Sequence, residues 1–359
     1  MPAPFPQPRN GLPVNNPPSG FPAFFEIRQP RVMTADPWAF IGEIIEDRVR
    51  AAQRSTGHSY VNQSLDFFEA AKNPHLASRP LLYYYSFLNL VKAALLIRGV
   101  RLSAKPAHGI ADPRSNQRER LRLGGQRVII DARAADRSNL AAEFIVALGA
   151  EGKRRDLPVV ELLGQIPSIH RAFTRITERA AAFTPIKRVE ILRAGGELWA
   201  RMVLDRYDRD VIATLPALKR RRAFRRWLSQ KLAPVGSEIW LETDPVPGQR
   251  RGVDAGIERL AEQISEVGIS SILTSGGYRF YLSGTVPRYR VPSIAASYAA
   301  FFYLGSVTRY RPDAFDTIVE GGYSWLVNEL IATEPLQFVY SLASWLAGVD
   351  VVRPFAATL

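Results

Sequence analysis

The stretch from Pro80 to Ile110, PLLYYYSFLNLVKAALLIRGVRLSAKPAHGI, decides how the rest of the chain must fold. Its first part is an apolar run from Leu81 to Ile97 in which Ser86, Asn89 and Lys92 are the main polar members, spaced three apart. At a 3.6-residue period these three form one narrow stripe on an otherwise greasy rod. A rod of that kind has to be covered by other elements. The run is 17 residues long, is broken by Asn89 and Lys92 and ends in Arg98, which predicts a core helix in place of a membrane span. Beyond the helix, a loop carries Arg101 and His108, separated by six residues and suited to acid/base or phosphate chemistry.

Working outward, 359 residues with 47% hydrophobic content are enough for one large core or for several smaller ones. The charge balance of 47 Lys and Arg against 34 Asp and Glu, net +13, favours RNA or another polyanion as partner. An Arg-rich solvated surface with no nucleic-acid role reads the same way in composition. The chain has no cysteine, which excludes disulfides, thiol catalysis and thiolate metal sites. Its four histidines, His58, His75, His108 and His170, show no HxH, HxxxH or HExxH spacing, so neither a metal nor another cofactor is expected. The N-terminus does not read as a secretory leader, and a cytoplasmic protein without membrane attachment is the expectation.

Ten of the 26 prolines fall within the first 37 residues, which predicts an extended arm over 1–35. Asp36-Pro37 reads as an N-cap followed by the first residue of a helix, with Trp38, Ile41, Ile45 and Val49 on its apolar face. A second helix is expected over about 60–72 and the buried rod over 81–97. Residues 111–137 read as a polar loop leading into a strand at Val128–Ile130. Helices are expected again over 140–148 and over 159–182, the latter broken at Pro167. After Pro185 the pattern changes to short runs rich in β-formers at 197–204, 238–242, 271–275 and 278–282, with a hairpin at Gly276-Gly277. Helices over about 215–232 and 256–266 are embedded among them, and the chain turns helical once more from Ser293 to Gly348. The expected divisions are therefore the arm at 1–35, a helical region at 36–184, a mixed region with antiparallel strands at 185–291 and a C-terminal helical region at 292–359. The class is α+β, mainly α, with terminal helices available to pack on one another.

Three features carry chemistry. Arg101 and His108 together match a metal-independent RNase constellation, with the imidazole as acid/base and the guanidinium stabilising the extra charge on the phosphate. The bland alternative is a structural His-Gly turn with a solvated Arg101. The segment KRRRAFRRWLSQK places Lys219, Arg220, Arg221, Arg222, Arg225, Arg226 and Lys231 on a helix whose apolar side is Phe224, Trp227 and Leu228. Seven cations in thirteen residues with no acid suggest a nucleic-acid-binding ridge, although an ordinary surface helix remains the other reading. Near the C-terminus, Arg309 and Arg311 are expected to pair with Asp313 or Asp316. Nucleotide-binding loops, dinucleotide fingerprints and serine-hydrolase elbows are absent from the sequence.

The segments PLLYYYSFLNLVKAALLIRG, AHGI, ELLGQIPSI at 161–169 and SYAAFFYLGSVTRYRPDAFD at 297–316 resemble the bacterial YaaC-like family. More loosely, YYSFLNLVKAALLIRG followed by His-Gly is similar to the core helix and loop of HEPN domains, many of which are dimeric RNases of toxin or defence systems. Their Arg, four to six residues, then His spacing is met by Arg101 and His108, while Leu102 stands where the pattern has a polar residue. The resemblance implies a HEPN-like helical core built from the N- and C-terminal helices, with a small antiparallel β-containing region inserted. It further implies RNA binding or endoribonuclease activity, as in antiviral defence or stress response. A homodimer is a further expected partner arrangement, and a non-enzymatic subunit docking onto a partner protein is the alternative from a different class.

Overall fold

In the computed structural model the described residues are 12–13 and 32–354, apart from 74, 104–105, 114–122, 131–138, 180–182, 221–233, 236, 249–255, 284–289 and scattered positions between 257 and 276. The helices are α1 (Pro37–Arg48), α2 (Ala51–Ala70), α3 (Arg79–Ile97), α4 (Leu140–Ala147), α5 (Val159–Leu163), α6 (His170–Thr177), α7 (Arg209–Arg220), α8 (Ser293–Tyr310), α9 (Pro312–Glu320) and α10 (Ser324–Ala347). The chain divides into two units. One comprises 34–179 with 287–346, and the other comprises 1–33, 180–286 and 347–359.

The first unit is mainly helical and is organised around α3. Asp36 caps α1 by accepting from the backbone N–H of Trp38 and Ala39, both at 3.0 Å, with Pro37 in the first turn. The cap orients Trp38, Ile41, Ile45 and Val49 inward, and all four are buried. The polar stripe of α3 proves to be a connector between helices. The Trp38 indole N–H donates to the Ser64 hydroxyl of α2 at 3.0 Å, and that hydroxyl lies 3.0 Å from the Ser86 hydroxyl of α3. A buried hydroxyl left without a partner costs about 1–3 kcal/mol, so this relay fixes the relative depth of three helices.

Aromatic packing fills the rest. Phe87, fully buried, stacks on Phe338 of α10 with centroids 3.9 Å apart and meets Phe301 of α8 edge-on at 5.0 Å. Gly305 lets α8 come this close, since a Cβ there would sit 3.2 Å from the Leu81 backbone. The last carbonyls of α10 are capped by cations, Arg48 donating to Leu346 O at 2.6 Å and Arg98 to Trp345 O at 2.9 Å. Glu334 of α10 is buried against the hydroxyls of Ser168 and Ser297, and burial raises its carboxyl to about 7.

β1 (Leu12–Pro13) and β2 (Val32–Met33) belong to the other unit, and three short strands close one flank of this one: β3 (Ile110–Ala111), β4 (Arg127–Ile130) and β5 (Arg155–Pro158), antiparallel in the order β3-β4-β5. Only β4 follows from the sequence pattern. The two-residue β3 is too short for alternation to be read, and β5 contains Arg155, Asp156 and Pro158. The second helix starts at Ala51, nine positions before the apolar periodicity begins, because AAQRSTGHS supplies helix-compatible residues without a greasy face.

The second unit is built on antiparallel strands. Its larger sheet holds Leu12–Pro13 at one edge, then Arg188–Ala194, Glu197–Asp205, Glu238–Glu242 and Pro234–Val235, with Val246–Pro247 also paired to Glu197–Asp205. Residues 188–194 and 197–205 form a hairpin whose turn, Gly195-Gly196, has both φ values positive, at 58° and 82°. Strand 197–205 is buried at its seven inner positions, including Arg201, which bonds Glu242 at 2.6 Å and stacks on Trp240 at 3.8 Å. A smaller sheet pairs 269–274 with 277–283, as the Gly-Gly signal predicts, and adds 183–186. Val351–Val352 pairs in parallel with Val32–Met33. Helix α7 begins at Arg209, six residues ahead of the expected 215, because Asp208 caps it and the helix continues through Pro216.

Leu76–Ile97 is long and apolar enough to cross a bilayer, and 72% of that window is buried inside the protein, in keeping with a core helix. Phe87→Ala is therefore expected to lower unfolding free energy by about 3–5 kcal/mol in urea titrations. Trp325→Ala, at a side chain 49% exposed, should change it by no more than about 0.5 kcal/mol.

Candidate functional site

Helix α3 ends at Ile97, and Gly99, with φ of 75°, turns the chain into the segment that carries Arg101 and His108. The far end of that segment is clamped. The first turn of α4 leaves backbone N–H groups without helical acceptors, and two of them donate outward, Leu140 N to Ala107 O at 3.0 Å and Ala141 N to His108 O at 3.2 Å. Asn139, the N-cap of α4, accepts from Ala142 N at 3.0 Å. The same Asn139 side chain occupies the space next to Gly109, where a Cβ would lie 1.6 Å from Oδ1. Gly109 also has a φ of 75°, so two independent requirements exclude any other residue at that position.

The imidazole is held from the helix side. Its Nδ1 lies 2.6 Å from the hydroxyl of Tyr84, a buried residue of α3, which directs the ring of the exposed His108. Burial, followed by the neighbouring Tyr298 and Tyr85 hydroxyls, pushes the Tyr84 phenol well above its ordinary value, so it stays protonated. The Tyr84 ring stacks on Tyr298 at 5.9 Å and meets Phe302 edge-on at 5.3 Å. Burial, then the positive charges of Lys92 and Arg309, lower the His108 pKa. Each of these effects favours the neutral form of the ring.

Two cations therefore bear on His108, from opposite halves of the chain. Lys92, on the polar stripe of α3, is itself lowered by burial and lies 5.3 Å from the centre of the Tyr60 ring. Arg309, near the end of α8, is exposed and donates to the Tyr85 hydroxyl at 3.2 Å. Arg101 is exposed in the connecting segment. The cations that shift His108 are Lys92 and Arg309. Neither stood out as a partner of His108 in the sequence. Lys92 reads there as part of a stripe, and Arg309 as an ion-pair partner of a nearby acid. Arg311 departs from that expectation: it pairs with Asp112, whose side chain is 5% exposed just beyond β3, in place of Asp313 or Asp316. The pair ties the start of α9 to the end of the strand that follows His108.

Of the basic segment, Lys219 and Arg220 are the last two positions of α7. Their side chains, and Arg221, Arg222, Arg225, Arg226 and Lys231 altogether, lie outside the described residues. Among the described residues no group of three His, Asp or Glu side chains is placed to hold a metal ion.

The electrostatics give a direct expectation. Followed by NMR, His108 should titrate below the ordinary histidine value of about 6.5, and Arg309→Gln should move the midpoint upward by removing a repelling charge. An unchanged midpoint in that variant would take Arg309 out of the site.

Comparison with curated proteins and with solved structures finds no match to this chain. The family model described as YaaC-like protein matches residues 24–346, which is most of the sequence. The protein thus belongs to the YaaC-like family.

Proposed function

We propose that this YaaC-like protein binds RNA at His108 and cleaves it without a metal ion. The observation that carries the reading is a single arrangement: an imidazole whose Nδ1 lies 2.6 Å from the hydroxyl of the buried Tyr84 and whose pKa is lowered by burial and then by Lys92 and Arg309. An imidazole whose neutral form is favoured, with two cations in its electrostatic surroundings, is suited to a phosphodiester, because the ring handles the proton while the cations meet the charge. The loose resemblance of residues 80–110 to the HEPN core helix and loop supports the same chemistry.

In the proposed step, Nδ1–H donates to the Tyr84 oxygen and the free Nε2 takes the proton of a ribose 2′-hydroxyl. The 2′ oxygen attacks phosphorus, the bond from phosphorus to the 5′ oxygen breaks, and the leaving oxygen acquires a proton from water. The products are a 2′,3′-cyclic phosphate and a free 5′-hydroxyl. Lys92 and Arg309 stabilise the added negative charge on the phosphate oxygens, which assigns to them the role the sequence suggests for Arg101.

The test is cleavage of mixed cellular RNA by the purified protein in chelator-containing buffer. His108→Ala should slow it by about 10²–10⁴-fold, and Arg309→Gln by about 10²–10³-fold. Arg101→Ala should have a smaller effect than either. Wild-type protein that leaves RNA intact, alone or with candidate partner proteins, would favour the interaction-subunit alternative.

A further inference from the structure

The rings around His108 form a continuous series. Tyr84, which holds the imidazole, lies 5.4 Å from Tyr85, and Tyr85 in turn stacks on Phe67 at 5.3 Å with 28° between planes. The Tyr85 hydroxyl accepts from Arg309, whose guanidinium lies 5.1 Å from the centre of the Tyr310 ring. Tyr310 is 51% exposed, at the last position of α8. Isolated exposed aromatics are common on protein surfaces and signify little. Here the exposed ring is backed by Arg309, which reaches the Tyr85 hydroxyl, and Tyr85 adjoins the Tyr84 that holds the imidazole, so an aromatic face and a cation are linked through two rings to His108.

We infer that Tyr310, supported by Arg309, is a nucleobase-stacking subsite next to His108, which makes an unpaired RNA strand the ligand in preference to a duplex. The inference rests on the RNA reading given above and adds the substrate class. An unpaired nucleotide has a free π-face that stacks on an aromatic ring, and Arg adds a cation–π contribution. An A-form duplex keeps its bases within the stack and offers proteins mainly phosphates and 2′-hydroxyls. A strand whose phosphate sits between Nε2 and the two cations would turn its flanking base onto the Tyr310 ring.

The experiment measures fluorescence anisotropy of a short 5′-labelled oligouridylate and of its duplex with oligoadenylate. It uses the full chain carrying His108→Ala, so that binding is read without cleavage. Tyr310→Ala should weaken single-strand binding about 5- to 100-fold, the loss of one stacked base. It should leave duplex binding unchanged, and Tyr310→Phe should retain the single-strand affinity; thermal melts check that each variant is folded. Single-strand affinity unaltered by Tyr310→Ala, or an equal loss for strand and duplex, would overturn the subsite. If cleavage at His108 survives in that case, only the subsite has failed. If the parent protein binds neither RNA, the subsite fails along with the RNA reading.

Discussion

Helix α3 has to be covered on nearly every side, and that constraint shapes the helical unit. Thirteen of its nineteen residues are buried, so helices from both ends of the chain are needed to enclose it. Helices α1 and α2 supply one wall, α8 and α10 the other, and the Phe87 ring is the point at which the second wall closes. The few polar positions on α3 are correspondingly specialised. Ser86 is spent on the relay to Ser64 and Trp38, whereas Tyr84 and Lys92 both bear on His108.

This gives the candidate site a rigid base. A loop side chain is ordinarily free to change rotamer, but His108 is gripped at its ring by a residue of the core helix. Its backbone is gripped as well, by the first turn of α4. Asn139 takes part through a steric arrangement that only glycine at position 109 allows. Preorganisation of that kind is what acid/base chemistry on a phosphodiester requires, since the ring must meet a reacting atom without paying to order itself first. The lowered pKa of the imidazole then follows from where it is held, through burial first and then the positive charges of Lys92 and Arg309.

Much of the helical frame was legible in the sequence because local signals and burial agreed. Asp36-Pro37 marks the start of α1, the spacing of Ser86, Asn89 and Lys92 marks a buried rod, and Gly276-Gly277 marks the hairpin that pairs 269–274 with 277–283. Where local chemistry was neutral, the boundaries were not legible: residues 51–59 form helix without an apolar face, and β3 has only two residues. Of the site, His108 could be read as a candidate from its loop and its Gly neighbour. Arg309 could not, because its relation to His108 arises only when α8 packs on α3. Arg311 illustrates the same limit, since nearby acids at 313 and 316 suggested a local pair and the fold instead brought in Asp112 from the far side of the strand.

The proposed cleavage makes one spatial claim, that a phosphodiester is received at Nε2 of His108 within reach of Lys92 or Arg309. A crystal structure with a 2′-O-methyl dinucleotide, which cannot be cleaved by its own 2′-hydroxyl, tests that claim most directly. The account predicts a phosphate oxygen within hydrogen-bond reach of His108 Nε2 and of Lys92 or Arg309, with Nδ1 still bonded to Tyr84. A dinucleotide seated elsewhere, or a His108 ring turned so that Nε2 bonds the protein, would contradict it.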